Sequence, residues 1–329
     1  MGSARPGQAL SSHEQLRRPH VLVTGASSGI GRATVARLAA GGQHVYAGVR
    51  RPADGAALQQ AAHEAATPGE VTPLLLDVTD QAQIAAAARA VTEHVGPAGL
   101  AGLVNNAGIG GFSQLELTGA GNLRRLLKVN VTGQLAVTQA FLPLLRRAQG
   151  RIVMVGSIGA RFTPPFTGPL AASKSALTTM AEALRQELAP WNIRVVVIEP
   201  GSIRTDAVGK LRSDAAQLIS RAGPGQRALY EDSFQRMVTA FIALHDKGSP
   251  PDVVARAIAR ALAVPRPRAR YLAGRNSRRL AVMAAALPTP CSTRSAAGSP
   301  ISPPRGHAPP ARSRPMPRWP GEGAPPGRR

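Results

Sequence analysis

Three glycines in VTGASSGIG, Val23 to Gly31, are spaced for contact with phosphate. Gly25 permits a tight turn, Gly29 lets backbone approach a pyrophosphate, and Gly31 lets a helix pack closely on a strand. The N-terminus of that helix would face the negative charge. Thr24, Ser27, Ser28 and Ile30 complete the loop. Glycine runs also make ordinary turns, so the reading rests on placement. This stretch follows an apolar run, His20 to Gly25, and opens a pattern of helical period.

The elements that must hold the loop read as repeated strand–helix units. Short apolar runs recur at His20 to Gly25, His44 to Val49, Val71 to Asp77, Leu100 to Asn106, Arg151 to Ser157 and Ile193 to Pro200, with Arg268 to Gly274 as a seventh. Between them, stretches such as Gln81 to His94 and Leu123 to Arg147 carry apolar residues three and four apart. The alternation predicts an α/β domain with a mainly seven-stranded parallel sheet and helices on both faces. Residues 1–19 read as a flexible N-terminal segment and 20–288 as a single domain. Residues from about 202 to 250 read as a variable substrate lid, with two helices around a break at Gly223, Pro224 and Gly225.

Forty Lys and Arg against 18 Asp and Glu give a formal net charge of +22, which first suggests a nucleic-acid partner. The aromatic content of 3% argues against stacking platforms, and no nucleic-acid-binding motif is present, so a solvated basic surface is the preferred reading. One cysteine, Cys291, excludes an internal disulfide, and seven scattered histidines show no metal-ligand spacing. No apolar run has the length of a signal peptide or a membrane span. A cytoplasmic protein without membrane insertion is the expectation.

The motifs gain specificity in combination. Thr24, Gly25, Gly29 and Gly31 form a TGxxxGxG pattern, followed in order by LDVTD (Leu76 to Asp80), NNAG (Asn105 to Gly108) and PGSIRT (Pro200 to Thr205). Over about residues 20 to 275 the chain resembles the short-chain dehydrogenase/reductase family. The resemblance implies a doubly wound Rossmann-type domain, hydride transfer between a nicotinamide and an alcohol or ketone, and a homodimer or homotetramer paired through the long helices after the fourth and fifth strands. It places Asp77 and Val78 at the adenine ring, Asn105, Ala107 and Gly108 along the cofactor, and Pro200, Gly201 and Thr205 beside the nicotinamide. At the end of the second strand an acidic residue would bind a ribose hydroxyl, but the chain has Arg50 and Arg51 there, with Arg32 beside the glycine loop. Guanidinium groups suit a 2′-phosphate, so NADP is favoured over NAD, unless these arginines are simply exposed.

For catalysis, the resemblance assigns Ser157 to hold the substrate oxygen, Asn130 to support a proton relay, and Lys174 to bind the ribose and lower the pKa of a tyrosine four residues earlier. The spacings agree: Ser157 lies 27 residues after Asn130 and 13 before position 170. Position 170 is leucine, within GPLAASKSAL. Leu170 fills space but donates no proton. Taken singly, Ser157 could cap a turn, Asn130 could satisfy backbone groups and Lys174 could be exposed. The other tyrosines, Tyr46, Tyr230 and Tyr271, lie away from position 170 in the inferred layout, although the segment holding Tyr230 could fold over the site. Phe162, Phe166, Leu170, Phe234 and Met237 suggest an apolar pocket for a hydrophobic alcohol or ketone, and equally an ordinary core. The leading reading is an oxidoreductase weakened by Leu170; its alternative is a catalytically silent cofactor-binding protein with a regulatory role.

After Pro288 the composition changes: residues 289–329 hold eleven prolines and seven arginines without periodicity, the mark of a disordered tail. Arg, Pro, Gly, Ser and Ala are also what GC-rich codons encode in any frame. An out-of-frame extension is therefore the favoured reading, although a proline-rich partner ligand has the same composition. Sequencing the source DNA is expected to show a single-base slip near the codon for Leu287; an uninterrupted frame there would refute it.

Overall fold

The computed structural model describes residues 18–205, 213, 215–220 and 222–286. Of the segments expected to be flexible or disordered, 1–19 and 289–329, residues 1–17 and the whole of 289–329 lie outside the described residues. Strands β1 (His20–Thr24), β2 (His44–Val49), β3 (Glu70–Leu75), β4 (Gly102–Asn105), β5 (Arg151–Val155), β6 (Arg194–Pro200) and β7 (Arg270–Ala273) form one sheet. Their order is β3-β2-β1-β4-β5-β6-β7, and every pair is parallel. The sheet is the one expected from the apolar runs, because parallel strands covered on both faces need continuous apolar sequence.

Helices α1 (Gly29–Ala40), α2 (Pro52–Glu64), α3 (Gln81–Val95), α4 (Ala120–Leu127), α5 (Gly133–Ala148), α6 (Gly168–Glu187), α7 (Pro224–Asp246), α8 (Asp252–Ala263) and α9 (Ser277–Ala286) follow the strands. On one face, Ile84 and Val91 of α3, Phe141 and Leu144 of α5 and Leu177 of α6 pack with Leu22, Leu103 and Ile152 of the sheet. On the other, Leu38 of α1, Leu58 of α2 and Ile258 of α8 pack with Val23, Val104 and Val196. No helix among the described residues is long and apolar enough to cross a membrane.

The helical pattern read across 123–147 is divided. A π-turn at Lys128–Thr132 separates α4 from α5 and carries Asn130. Such a turn adds a residue to the local repeat without disturbing the apolar spacing on either side, so periodicity does not reveal it. In the variable segment, residues 215–220 are helical, Gly223 is the N-cap of α7 and Pro224 its first residue, as the break predicted.

Crossovers reverse direction between β1 and β4, which opens a crevice at the carboxyl ends of those strands. The opposite end is closed by rings. His20 and His44 are paired in register, and their rings lie 5.1 Å apart. His94 approaches His44 at 4.7 Å, and the Tyr46 hydroxyl meets His20 Nδ1 at 3.3 Å. Burial, then the neighbouring His44 and His94, lowers His20 from 6.5 to about 4. Burial, then His94 and Arg18, lowers His44 to about 4 as well. Both are therefore neutral in the fold at pH 7, and the unfolded chain takes up their protons first. Stability should be complete above about pH 6.5 and fall as pH drops towards 4, by about 3 kcal/mol for each histidine. Urea unfolding across that range checks this, and a His20→Gln/His44→Gln variant should show a flatter profile.

Candidate active site

The turn after β1 is held by the segment after β4. Thr24 Oγ1 accepts from the N–H groups of Asn106 and Ala107, both at 3.0 Å, and Asn106 Nδ2 donates to the carbonyls of Thr24 and Gly25 at 2.9 and 3.0 Å. Gly25 has φ +63°, and a Cβ there would lie 2.7 Å from Ala107 Cα. A Cβ on Gly31 would lie 2.1 Å from the Gly25 carbonyl oxygen. Only glycine permits either approach. Ser28 caps α1 without a side-chain hydrogen bond, so the first N–H groups of the helix are left for another acceptor.

A groove of about 520 Å³ opens over this turn. Gly25, Ser27, Ser28, Gly29 and Ile30 form one side, Asp77, Val78, Ala107 and Gly108 the other, and Arg50 and Thr205 its ends. The Thr205 methyl lies 3.3 Å from where a Gly29 Cβ would be, which brings the loop after β6 over the turn. Asp77 Oδ1 accepts from the Thr79 N–H and hydroxyl, both at 2.8 Å. Burial alone would raise this carboxyl, but Thr79, then Arg50 and Lys128, hold it below its usual range.

Several expected cofactor residues serve the groove from outside it. Thr24 and Gly31 build the turn as described. Asn105 is buried and donates to Thr138 Oγ1 at 2.8 Å. Arg51 is directed away and pairs with Asp54 at 2.7 Å, while Arg32 is exposed outside the groove. Pro200 ends β6, and Gly201 lies beyond it at the adjoining cavity. Arg125 and Lys128 also line the groove, three residues apart on the approach to Asn130. That spacing on one helical face was the available signal.

The adjoining cavity, of about 310 Å³, brings together Ser157, Leu170 and Lys174. Ser157 Oγ caps the short turn at Ile158–Ala160 by accepting from the Gly159 N–H at 3.0 Å, which leaves its hydroxyl hydrogen free to donate. Lys174 Nζ donates to the Val155 carbonyl at 2.8 Å, and burial lowers it from 10.5 to about 8. No carboxylate lies within ion-pair distance of it among the described residues. Asn130 is fully buried outside the cavity. Its Oδ1 accepts from the Ile109 N–H at 2.8 Å, and its Nδ2 donates to the Ile109 carbonyl and to Ser173 Oγ at 2.9 and 3.0 Å. The side chain thus ties the segment after β4 to α6, one residue before Lys174.

Leu170 stands one turn ahead of Lys174, and Phe162 and Met237 complete part of the apolar wall. Phe166 and Phe234 do not line it. They pack together at 5.3 Å in a separate cluster with Val238, so they belong to the core of the variable segment. Leu280 and Met283 of α9, together with Phe241, Leu244 and His245 of α7, close the cavity. These contacts are tertiary and left no local sequence signal. None of the three tyrosines lines the cavity; Tyr230 donates instead to Glu116.

A family described as short chain dehydrogenase matches residues 19–216. The chain is 31% identical over 258 residues to the NADPH-dependent 3-dehydrocapnine reductase of Ornithobacterium rhinotracheale, covering 77% of this chain and 87% of that protein. It is 32% identical over 277 residues to retinol dehydrogenase 5 of Homo sapiens, covering 82% and 84%. Among solved structures, the 3-ketoacyl-(acyl-carrier-protein) reductase of Brucella melitensis in complex with NADH superposes with a TM-score of 0.59 at 26% identity, covering 76% of this chain and 92% of that one. The glycine turn and the crevice at the strand ends are thus part of a wider relationship, and the chain belongs to the short-chain dehydrogenase family.

Proposed function

We propose that the protein is a nicotinamide-dependent oxidoreductase that favours NADP and acts on a hydrophobic alcohol or ketone, with Leu170 in the position of the family's tyrosine. The observation that carries this reading is the closeness of two spaces: Lys174, which lines the apolar cavity with Ser157, has its Nζ 3.6 Å from where a Cβ on Gly108 of the glycine-floored groove would be. The groove fits a dinucleotide: bare backbone at Gly25 and Gly29 for the pyrophosphate, Asp77 and Val78 for the adenine ring, and Arg50 for a 2′-phosphate. Bound there, the nicotinamide would supply or accept the hydride. Ser157 holds the substrate oxygen through its free hydroxyl hydrogen. Lys174 supplies positive charge beside it, and Asn130 fixes the helix that carries Lys174.

Related proteins named for NADPH and for NADH support a nicotinamide cofactor without choosing between the two. Arg50 favours NADP, because a charge-assisted contact between guanidinium and phosphate has no counterpart on an unphosphorylated ribose. Titration should show NADPH bound more tightly than NADH. Arg50→Ala should cost about tenfold to a hundredfold in NADPH affinity and little in NADH affinity. Equal affinities in the native protein would refute the preference.

Leu170 also favours a second reading, a catalytically silent protein that binds cofactor. A hydroxyl with the pKa of an alcohol is a poor acid near neutrality, and a positioned acid is worth about a hundredfold to ten-thousandfold in rate. Leu170→Tyr should therefore raise ketone reduction by about that factor while cofactor affinity stays unchanged. A variant that binds cofactor but gains no rate on any of a panel of hydrophobic ketones would count against the assignment of position 170. Tight binding by the native protein with no turnover would favour the silent reading.

A further inference from the structure

A cavity of about 1010 Å³ lies away from the glycine turn, along the outer side of α8 at the β7 edge of the sheet. Arg260, Arg266, Arg268 and Arg278 line it, and none of their side chains makes a hydrogen bond or ion pair among the described residues. Three further arginines there are paired with carboxylates. Arg37 pairs with Asp252 at 2.7 Å, Arg256 pairs with the same carboxylate, and Arg270 bridges Glu182 and Glu199. The seven guanidinium groups of the lining therefore share three carboxylates, one of which, Glu199, also pairs with Arg161, and the surplus charge lies on one concave surface. The floor between them is largely apolar, with Val253, Ala257 and Leu272.

We infer that this groove binds a ligand carrying clustered phosphates, independently of the dinucleotide groove. Each phosphate monoester carries about 1.5 to 2 negative charges at neutral pH and three acceptor oxygens, so two of them offset four guanidinium groups within a compact volume. An acidic peptide would need four carboxylates in the same space. Tyr271 is the only aromatic residue on the lining, and its hydroxyl already accepts from the Arg268 N–H at 3.1 Å, so successive nucleic-acid bases find no stacking platform. A second copy of the chain would bring like charge to like and is disfavoured for that reason. The clustered phosphates can come from a free polyphosphate or from a phosphorylated lipid headgroup.

Both sources are tested with the full chain at low ionic strength, where surplus charge is least screened. One arm titrates sodium tripolyphosphate by calorimetry. The other measures co-sedimentation with phosphatidylcholine vesicles, with and without a bisphosphorylated phosphoinositide. The native protein should bind at least one probe, and Arg260→Gln/Arg266→Gln/Arg268→Gln/Arg278→Gln should weaken that binding by about tenfold or more. A control removes the same charge from other faces (Arg89→Gln/Arg124→Gln/Arg146→Gln/Arg147→Gln) and should change binding by less than about threefold. Should the fourfold groove variant melt early, Arg266→Gln/Arg268→Gln, confined to the loop before β7, replaces it with a smaller expected loss. Tripolyphosphate binding assigns the free source, and binding only to phosphoinositide vesicles assigns the headgroup. Failure to bind either probe would overturn the inference, as would equal losses in groove and control variants. So would preferential binding of a single-stranded oligonucleotide matched in phosphate concentration. Loss of NADPH affinity in Arg50→Ala bears only on the dinucleotide groove, so failure of that reading is separable from failure of this one.

Discussion

The carboxyl end of the sheet depends on one contact, the seating of the turn after β1 against the segment after β4. A single hydroxyl, Thr24 Oγ1, receives two backbone N–H groups from Asn106 and Ala107, and the Asn106 amide returns two bonds to the turn. The two backbones approach too closely for a side chain at Gly25 or Gly31. From there the restraint passes outward. The loop that continues from Ala107 is bonded at Ile109 by Asn130, Asn130 bonds Ser173, and Ser173 precedes Lys174 on α6. The residues flooring the groove and the lysine of the cavity are thus joined by hydrogen bonds that are partly or fully buried, and such bonds are costly to leave unmade.

Much of this was legible because it is local. The sheet could be read from apolar runs, and the groove from glycines whose spacing is dictated by backbone geometry. Arg50 and Arg51 show where local reading stops. Adjacent side chains at the end of a strand point in opposite directions, so one lines the groove and the other pairs with Asp54. The same limit applies to Phe162 and Phe166, of which only the first reaches the cavity. His245, Leu280 and Met283 come from two helices far along the chain, and only the packing of those helices brings them to Ser157. The π-turn that seats Asn130 was hidden for a different reason, since the apolar spacing continues on both sides of it.

The basic character of the chain also has a more specific form in three dimensions than in composition. A net charge of +22 in a sequence suggests a diffuse surface potential. In the fold, the acidic residues near the β7 edge are consumed by Arg37, Arg256 and Arg270, and Glu199 is fully buried while pairing with Arg161 at 2.8 Å as well as with Arg270. Neutralisation is therefore uneven: carboxylates sit where helices and strands must be joined, and the loop before β7 is left without any.

Leucine at position 170 gives the cavity an apolar side chain one turn before Lys174. Burial is the cause that brings the Lys174 ammonium down to about 8. On the opposite side, His245 Nδ1 donates to the Phe241 carbonyl at 2.9 Å, and its ring stacks on Phe241 at 3.8 Å. Burial lowers its pKa despite the raising influence of that carbonyl and of Asp246. Near neutral pH the cavity then holds a protonated lysine, a neutral imidazole and a serine hydroxyl, with no group of phenolic acidity between them. A proton reaching an oxygen beside Ser157 has to come from Lys174, directly or through water, or from bulk solvent. A lysine titrating near 8 keeps most of its protons at neutrality, yet it gives one up far more readily than a serine hydroxyl does. With leucine at position 170, the Lys174 amine is the strongest proton donor among the side chains that line the cavity.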